Sequence, residues 1–304
     1  MDVNYMSIDT GTAADFRSGF VCIVGKPNTG KSTLMNHILG QKISITSPKP
    51  QTTRYAIKGI WNDEKLQVVF VDTPGYLKPR YEMQKRMIKI WSDAFKDVDL
   101  VIFMTDILSF PSDYDKEVLE ILSTFRNQKI AVFNKVDLRP QCEQDKYQDG
   151  LIGDFDSVHF VSARTGEGIQ EMLDDLVSRI PYHEPYYDED QLSDLPMRFF
   201  AREVIREGIF HILEQELPYA SAVLIDKYTD TDDKAVIDAV IWLERQSQKI
   251  ILIGSQGKTL GKIRAYAEQQ LTTFVGKPVQ VHLWVKINPN WRKKNTSLKE
   301  LGFD

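Results

Sequence analysis

A short apolar run, Phe20-Val21-Cys22-Ile23-Val24, leads directly into Gly25-Lys26-Pro27-Asn28-Thr29-Gly30-Lys31-Ser32. No other feature restricts the fold of this chain as strongly. A buried strand must turn through a glycine-bearing loop into a helix that starts near Lys31, which is the context a P-loop requires. Glycines let backbone N–H groups close around an anion, and the helix start adds unpaired donors and the positive end of its dipole. Lys31 is expected to reach the outer phosphates of a nucleotide, and Ser32 to hold Mg²⁺ through its hydroxyl.

Three later motifs decide which nucleotide. Asp72-Thr73-Pro74-Gly75 closes the apolar run 66–71. It puts the Asp72 carboxylate at a strand's C-terminal end, where open α/β sheets bind ligands. There Asp72 serves the Mg²⁺ shell and the Gly75 N–H reaches the γ-phosphate. Asn134-Lys135-Val136-Asp137 closes the run 130–133. Asp137 can accept two hydrogen bonds from guanine that adenine does not offer, and a site built on such pairing rejects the analogue lacking it. Asn134 is expected to contact the base and tie its loop to the P-loop, with the Lys135 stem over the ring. Ser162-Ala163 follows another strand and offers the Ala163 N–H to the guanine carbonyl. GTP is therefore favoured over ATP. Between these motifs, Gln51-Thr52-Thr53-Arg54 reads as a switch loop in which one threonine completes the Mg²⁺ shell in the GTP state. Thr53 is preferred and Thr52 is the alternative.

Apolar runs at 20–24, 66–71, 100–105, 130–133 and 158–161 read as buried strands. Helical patterns at 31–39, 82–95, 114–125 and 168–180 lie between them, and 54–61 alternates like an antiparallel edge. Such alternation predicts an α/β unit with a mostly parallel sheet and helices on both faces. Residues 181–196 hold three prolines, five carboxylates and three tyrosines without periodicity, which is a linker signature. Beyond it the pattern changes class: helix 198–216, strands 222–226, 235–243 and 249–253, a Gly-X-X-Gly turn, helix 258–271 and strand 279–285. The expected division is an N-terminal extension 1–18, a nucleotide domain 19–180, a linker 181–196 and an α+β domain 197–304.

Charge separates the two halves. From Arg245 to Lys299 there are eleven Lys/Arg against Glu268 alone, a net +10 across 55 residues of a chain whose total is −5, which leaves −15 elsewhere. Such asymmetry suggests a polyanion-facing surface near the C-terminal end. Within it, Gly254-Ser255-Gln256-Gly257 followed by Lys258 and Lys262 is expected to take a nucleic-acid backbone against main-chain N–H groups. Trp284, in the last strand, is expected in the core; Trp291 is left between core and base stacking. Cys22 reads as a buried strand residue, and with Cys142 it cannot build a disulfide framework. No run approaches the ~20 apolar residues that span a bilayer. The polar first eighteen residues do not read as a secretory signal. A cytoplasmic protein is expected.

Taken together, the P-loop, Gln-Thr-Thr-Arg, Asp-Thr-Pro-Gly and Asn-Lys-Val-Asp resemble those of the bacterial Era family of translation-factor-related GTPases. So do residues 40–47, Leu217-Pro218-Tyr219 and Leu283-Trp284-Val285-Lys286, and the resemblance runs from about 19 to 303. It implies an α/β P-loop GTPase domain followed by an α+β type II KH domain. It further implies binding near the 3′ end of small-subunit (16S) ribosomal RNA, assistance to 30S maturation, and a nucleotide state that switches RNA affinity. A monomer is expected, and peripheral contact with the inner membrane is implied by the family alone. Tyr76 stands where many GTPases carry a water-orienting glutamine, so slow hydrolysis is implied. An asparagine at the position of Asn28 implies a K⁺ ligand near the phosphates. Thr29, Gly261 and Arg264 depart from the usual pattern at points that touch no phosphate or base. Relatives acting on transfer RNA or the large subunit usually carry a further domain for which 304 residues leave no room. A nucleotide-regulated RNA scaffold with incidental hydrolysis is the reading of a different class.

Overall fold

The structure is a computed structural model that describes residues 15–139, 147 and 154–303. Residues 1–14 of the expected N-terminal extension, and Cys142, lie outside the described residues. The first strand begins inside that extension, at Arg17.

The first unit is a six-stranded sheet of β1 (Arg17–Val24), β2 (Ile57–Asp63), β3 (Leu66–Asp72), β4 (Leu100–Asp106), β5 (Gln128–Asn134) and β6 (Ser157–Val161). The order is β2-β3-β1-β4-β5-β6, all parallel except the edge strand β2. Strands β3 and β4 are buried along their whole length, as strands covered on both faces must be. Helices α1 (Lys31–Leu39) and α4 (Ile169–Arg179) seal one face through Leu34, Met35, Met172 and Leu176. The other face is sealed by Trp91 of α2 (Glu82–Asp93) and by Val118 and Leu122 of α3 (Asp113–Ser123). Cys22 sits in this core with its thiol pushed far above its usual range by burial. Because these strands run parallel, the loops after β1, β3, β5 and β6 gather at one rim of the sheet, and the reversal of order at β1 opens the crevice where such sheets bind ligands.

Residues 181–196 form a strap along the sheet edge. Ile60 N–H donates to Leu192 O (2.9 Å), Asn62 Nδ2 to Glu189 O (2.9 Å) and Gln67 Nε2 to Tyr187 O (2.8 Å). The Ile60 bond, with Ser193 Oγ donating to Lys58 O, covers backbone that β2 would otherwise leave open for pairing with another chain, and the side-chain bonds hold the strap in place.

The second unit packs α5 (Met197–Ile212) and α8 (Lys258–Val275) on a three-stranded sheet, β7 (Ala222–Asp230), β8 (Ala235–Leu243) and β9 (Val279–Ile287). Its order is β7-β8-β9, antiparallel then parallel. The expected strand at 249–253 is instead part of helix α7 (Gln246–Ile253). A four-residue apolar run, Ile250–Ile253, does not by itself separate strand from helix. Here Gln248 Oε1 accepts from the N–H groups of Glu244 and Arg245 at the helix start, and only Leu252 of the run is buried. Two short helices, α6 (Leu217–Ala220) and α9 (Asn295–Glu300), were not evident in the pattern. Trp284 is also a correction: it is 51% exposed on β9, while Trp291 is fully buried with its Nε1 donating to Ala220 O at 2.9 Å.

The units meet over an extensive contact. Leu77, Met83 and Met87, just after the Asp72–Gly75 turn, pack with Trp242, Trp291, Leu298, Leu301 and Phe303. Arg54 donates to Ser221 O (2.9 Å) and Pro218 O (3.2 Å), and Arg206 donates to Thr52 O. Burial, and then Arg206 nearby, lowers the Arg54 guanidinium to about 10.

Candidate functional site

The loop 25–32 turns out of β1 through three left-handed residues, Gly25 (φ 150°), Asn28 (φ 64°) and Gly30 (φ 103°), and Gly30 caps α1. A Cβ on Gly25 would stand 2.0 Å from Met104 O, and one on Gly30 2.2 Å from Asn134 Nδ2. Both positions therefore require glycine for space as well as for backbone angle. Lys31 Nζ lies within the loop, donating to Lys26 O (2.8 Å) and Gly25 O (3.2 Å). Burial lowers its ammonium to about 8, against the opposing pull of Asp72. A cation held among carbonyls at such a cost gains most when an anion enters.

Ser32, Thr53 and Asp72 converge although they come from three separate segments. Ser32 Oγ donates to Asp72 Oδ2 at 2.6 Å and lies 2.9 Å from Thr53 Oγ1. Asp72 Oδ1 is buried without a hydrogen-bond partner, and burial raises the acid above its usual range. Two hydroxyls and one carboxylate with an orphaned oxygen are hard oxygen donors, the set that suits Mg²⁺. Thr52 is turned away, its Oγ1 donating to Lys49 O at 2.7 Å, so of the two threonines Thr53 is the one that joins the cluster. Gln51 stands at φ 61° beside Gln84.

Asn134 joins three loops. Its Nδ2 donates to Thr29 O (2.7 Å) and its Oδ1 accepts the Ala163 N–H (2.8 Å). The tie to the P-loop is thus present. The Ala163 N–H, in contrast, is engaged by Asn134 and does not stand free for a base carbonyl. Asp137 accepts from Ser162 Oγ (2.8 Å) and from the exposed Arg164 (2.7 Å), which covers the carboxylate from the solvent side. Lys135 is left-handed (φ 69°), and Val136 is buried below it. Two cavities follow this line of residues. One of about 60 Å³ is lined by Lys31, Ser32, Thr53 and Gly75 among others. The second, about 520 Å³, runs from Asn28 and Gly30 past Thr46 and Ser47 to Asn134, Lys135, Asp137 and Ala163.

Several expected residues support the site rather than face it. The Lys26 ammonium points away from the cradle into a pair with buried Asp115 (2.8 Å) and a bond to Ser109 Oγ (2.8 Å). Only its backbone belongs to the loop. Thr29 Oγ1 donates to Lys26 O and Thr73 Oγ1 to Ile23 O (2.7 Å), each bracing a turn. Pro74 is buried, and Gly75 lies against Pro27, where a Cβ would come within 2.6 Å of the Pro27 nitrogen. The Tyr76 N–H donates to Gly25 O (3.0 Å), but the ring packs on Trp91 and its hydroxyl reaches Glu117 (3.2 Å). No acid or base is directed from Tyr76 toward the cradle.

Thr33, Thr46–Pro48, Arg164 and His211 line the cavities without having been singled out. Thr33 follows Ser32 and was within reach of the motif. His211 belongs to α5, almost 180 residues beyond the P-loop, and carries no signal in the sequence.

The Gly-X-X-Gly loop joins two helices, α7 and α8, not a strand and a helix. Gly254 (φ 72°), Gln256 (φ 52°) and Gly257 (φ 76°) are left-handed, and Ser255, Gln256, Lys258 and Lys262 are exposed. Gly257 N–H donates to Gly254 O (3.2 Å), and α8 starts at Lys258 with an open N-terminus.

Comparison with known proteins follows the same division. Residues 20–135 match a family described as 50S ribosome-binding GTPase, and 216–292 match the KH domain. GTPase Era of Thermotoga petrophila is 40% identical over 293 residues, covering 94% of this chain and 97% of that protein. GTPase Era of Lactobacillus helveticus is 40% identical over 298 residues, 95% and 97% respectively. Two solved structures superpose over 95% of this chain and 99% of their own, each at 32% identity. One is an Aquifex aeolicus Era variant bound to GDP and AlF4⁻, with a TM-score of 0.89. The other is Era with MgGDPNP and nucleotides 1506–1542 of 16S ribosomal RNA, with a TM-score of 0.91.

Proposed function

The chain belongs to the GTPase Era family, and from that premise we propose the residues and partners with which this GTPase works. Residues 25–32 cradle the phosphates, with Lys31 on the outer ones. Asp72–Gly75 with Tyr76 flank the γ-phosphate, and 134–137 hold the guanine, with Ser162 and Ala163 bracing Asp137 and Asn134 from behind. The observation that carries this reading is the convergence of Ser32, Thr53 and Asp72 beside the cradle, with Asp72 Oδ1 left unpartnered.

Ser32, Thr53 and Asp72 hold Mg²⁺, which when bound offsets the charge that builds on the phosphate oxygens. Lys31 and the loop N–H groups stabilise that same charge through donors already in place. Thr53 connects the cluster to the chain segment that Arg54 and Arg206 pin to the second unit. Release of the Thr53 hydroxyl after hydrolysis therefore loosens that segment. Tyr76 supplies no proton acceptor, so intrinsic turnover is slow. Asn28 Nδ2 donates to Pro48 O (2.9 Å), which leaves the amide oxygen for K⁺ near the phosphates.

Its nucleic-acid partner is the 3′ end of small-subunit ribosomal RNA, as in the relative solved with that fragment. It docks on 254–257, Lys258 and Lys262, and nucleotide state governs its release during 30S maturation. The functional boundaries are 17–180, since β1 starts at Arg17, and 197–304, with 181–196 as the strap. The protein works as a monomer in the cytoplasm. Among the described residues no helix is long and apolar enough to cross a membrane. Peripheral membrane contact rests on the resemblance alone.

Multiple-turnover GTP hydrolysis, with and without the RNA 3′ fragment and in K⁺ or Na⁺, tests the reading. Slow turnover, faster in K⁺ and altered by the RNA, is expected. Equal rates in both salts refute the Asn28 role, and indifference to RNA favours a scaffold.

A further inference from the structure

The wall of the 520 Å³ cavity is not built by the first unit alone. Asn28 and Gly30 mark its phosphate end, and Asn134 and Asp137 its base end. Residues 46–48 also line it, and with them His211, from the last turn of α5 in the second unit; Glu207, which accepts from the Thr46 N–H, lies 3.9 Å from the His211 ring. A nucleotide bound at both ends carries its sugar across the stretch between them.

We propose that His211 is a nucleotide-contacting residue, donated by the RNA-binding unit, that hydrogen-bonds the ribose hydroxyls of bound guanine nucleotide. The proposal rests on the nucleotide-site reading above. The ring lines the cavity and is only partly engaged. Its side chain is 41% exposed, Nε2 lies 3.9 Å from Glu207 Oε1, and the ring is 5.4 Å from that of Tyr266. Neither ring nitrogen has a hydrogen-bond partner at close range among the described residues. Glu207 is itself immobilised, accepting from Thr46 N–H (3.0 Å) and Tyr266 Oη (2.9 Å) and pairing with Lys42 (2.7 Å). The same Glu207 therefore fixes Thr46 by a hydrogen bond and stands beside His211 without one. Lys49 completes the arrangement by donating to Phe210 O and Leu213 O, the carbonyls on either side of His211 at the end of α5.

The consequence is that the nucleotide's sugar senses whether the second unit is docked. Undocking withdraws one wall of the site and leaves the phosphate and base contacts in place.

The test is calorimetric titration of the full chain, with Mg²⁺, using GDP and 2′,3′-dideoxy-GDP. His211→Ala should weaken GDP about five-fold, the worth of one hydrogen bond, and leave dideoxy-GDP within roughly the two-fold range of background effects. Lys49→Ala, which frees the end of α5, should give a similar GDP-selective loss. The double variant should lose no more than the larger single one. Unchanged GDP affinity in His211→Ala overturns the contact, as does an equal loss for both nucleotides. A double loss equal to the product of the single ones overturns its dependence on docking. A wild-type chain that binds neither nucleotide overturns the site reading itself, a distinguishable result.

Discussion

The two glycine loops look alike as sequence and are built differently. In the P-loop, the space beside Gly25 and Gly30 is filled by Met104 O and Asn134 Nδ2, atoms of the neighbouring strands β4 and β5. In the Gly-X-X-Gly loop, the space beside Gly254 holds only Thr259 of the adjoining helix, and nothing lies within 4 Å of Gly257. One loop is shaped by the fold around it; the other is shaped by its own backbone and faces solvent. Substitutions in the first should therefore register as stability and nucleotide affinity together, and in the second chiefly as RNA affinity, with only the small stability cost of a left-handed residue.

The largest effect should come from the base end of the first loop's site. Asp137→Asn is expected to weaken GTP by about 10⁴-fold and to confer binding of xanthosine triphosphate, because the amide presents a donor where guanine needs an acceptor. Competitive titration with both nucleotides checks this, and retained guanine preference would remove Asp137 from base recognition. Next, Gly25→Ala should cost about 3 kcal/mol or more, since a Cβ there meets backbone, whereas Gly257→Ala costs only the ~1 kcal/mol of a left-handed residue. Urea midpoints compare the two, and equal losses would break the contrast. Smaller again, Gly257→Asp should lower RNA affinity by about 100-fold through loss of close phosphate approach and the added like charge. GTP affinity should not change. It is a cleaner probe than Gly254→Asp, which also collides with Thr259. The smallest effect belongs to Trp284→Ala, which should move stability by no more than about 0.5 kcal/mol because the ring is half exposed. Trp291→Ala, its buried counterpart, should cost about 4 kcal/mol.

The first unit was legible nearly element by element, because its central strands are apolar runs covered on both faces and the edge β2 alternates. Its motifs stand at the strand ends, so order along the chain already places Asp72, Asn134 and Ser162 at one rim. The second unit was harder. The run 249–253 has strand-like composition, yet Ile250 and Ile251 are 65% and 54% exposed, so their apolar character does not report burial. The Lys26 side chain could not be assigned from its motif, since nothing nearby announces that Asp115, 89 residues on, would take its charge.

What the sequence determined by itself is local. A strand, a glycine loop and a helix start announce a P-loop from adjacent residues alone, and Asp137 brings the acceptor atoms that guanine, unlike adenine, can pair with. The concentration of basic residues likewise marks a polyanion-facing end without any coordinates. Tertiary structure decided the matters that depend on which surfaces meet. It turned 181–196 into an edge strap, left Trp284 outside, and pinned Arg54 to carbonyls of the second unit. It also brought His211 to the wall of a cavity whose other residues come from the first unit. Such contacts join residues more than a hundred positions apart, and their energy comes from packing that no local spacing encodes.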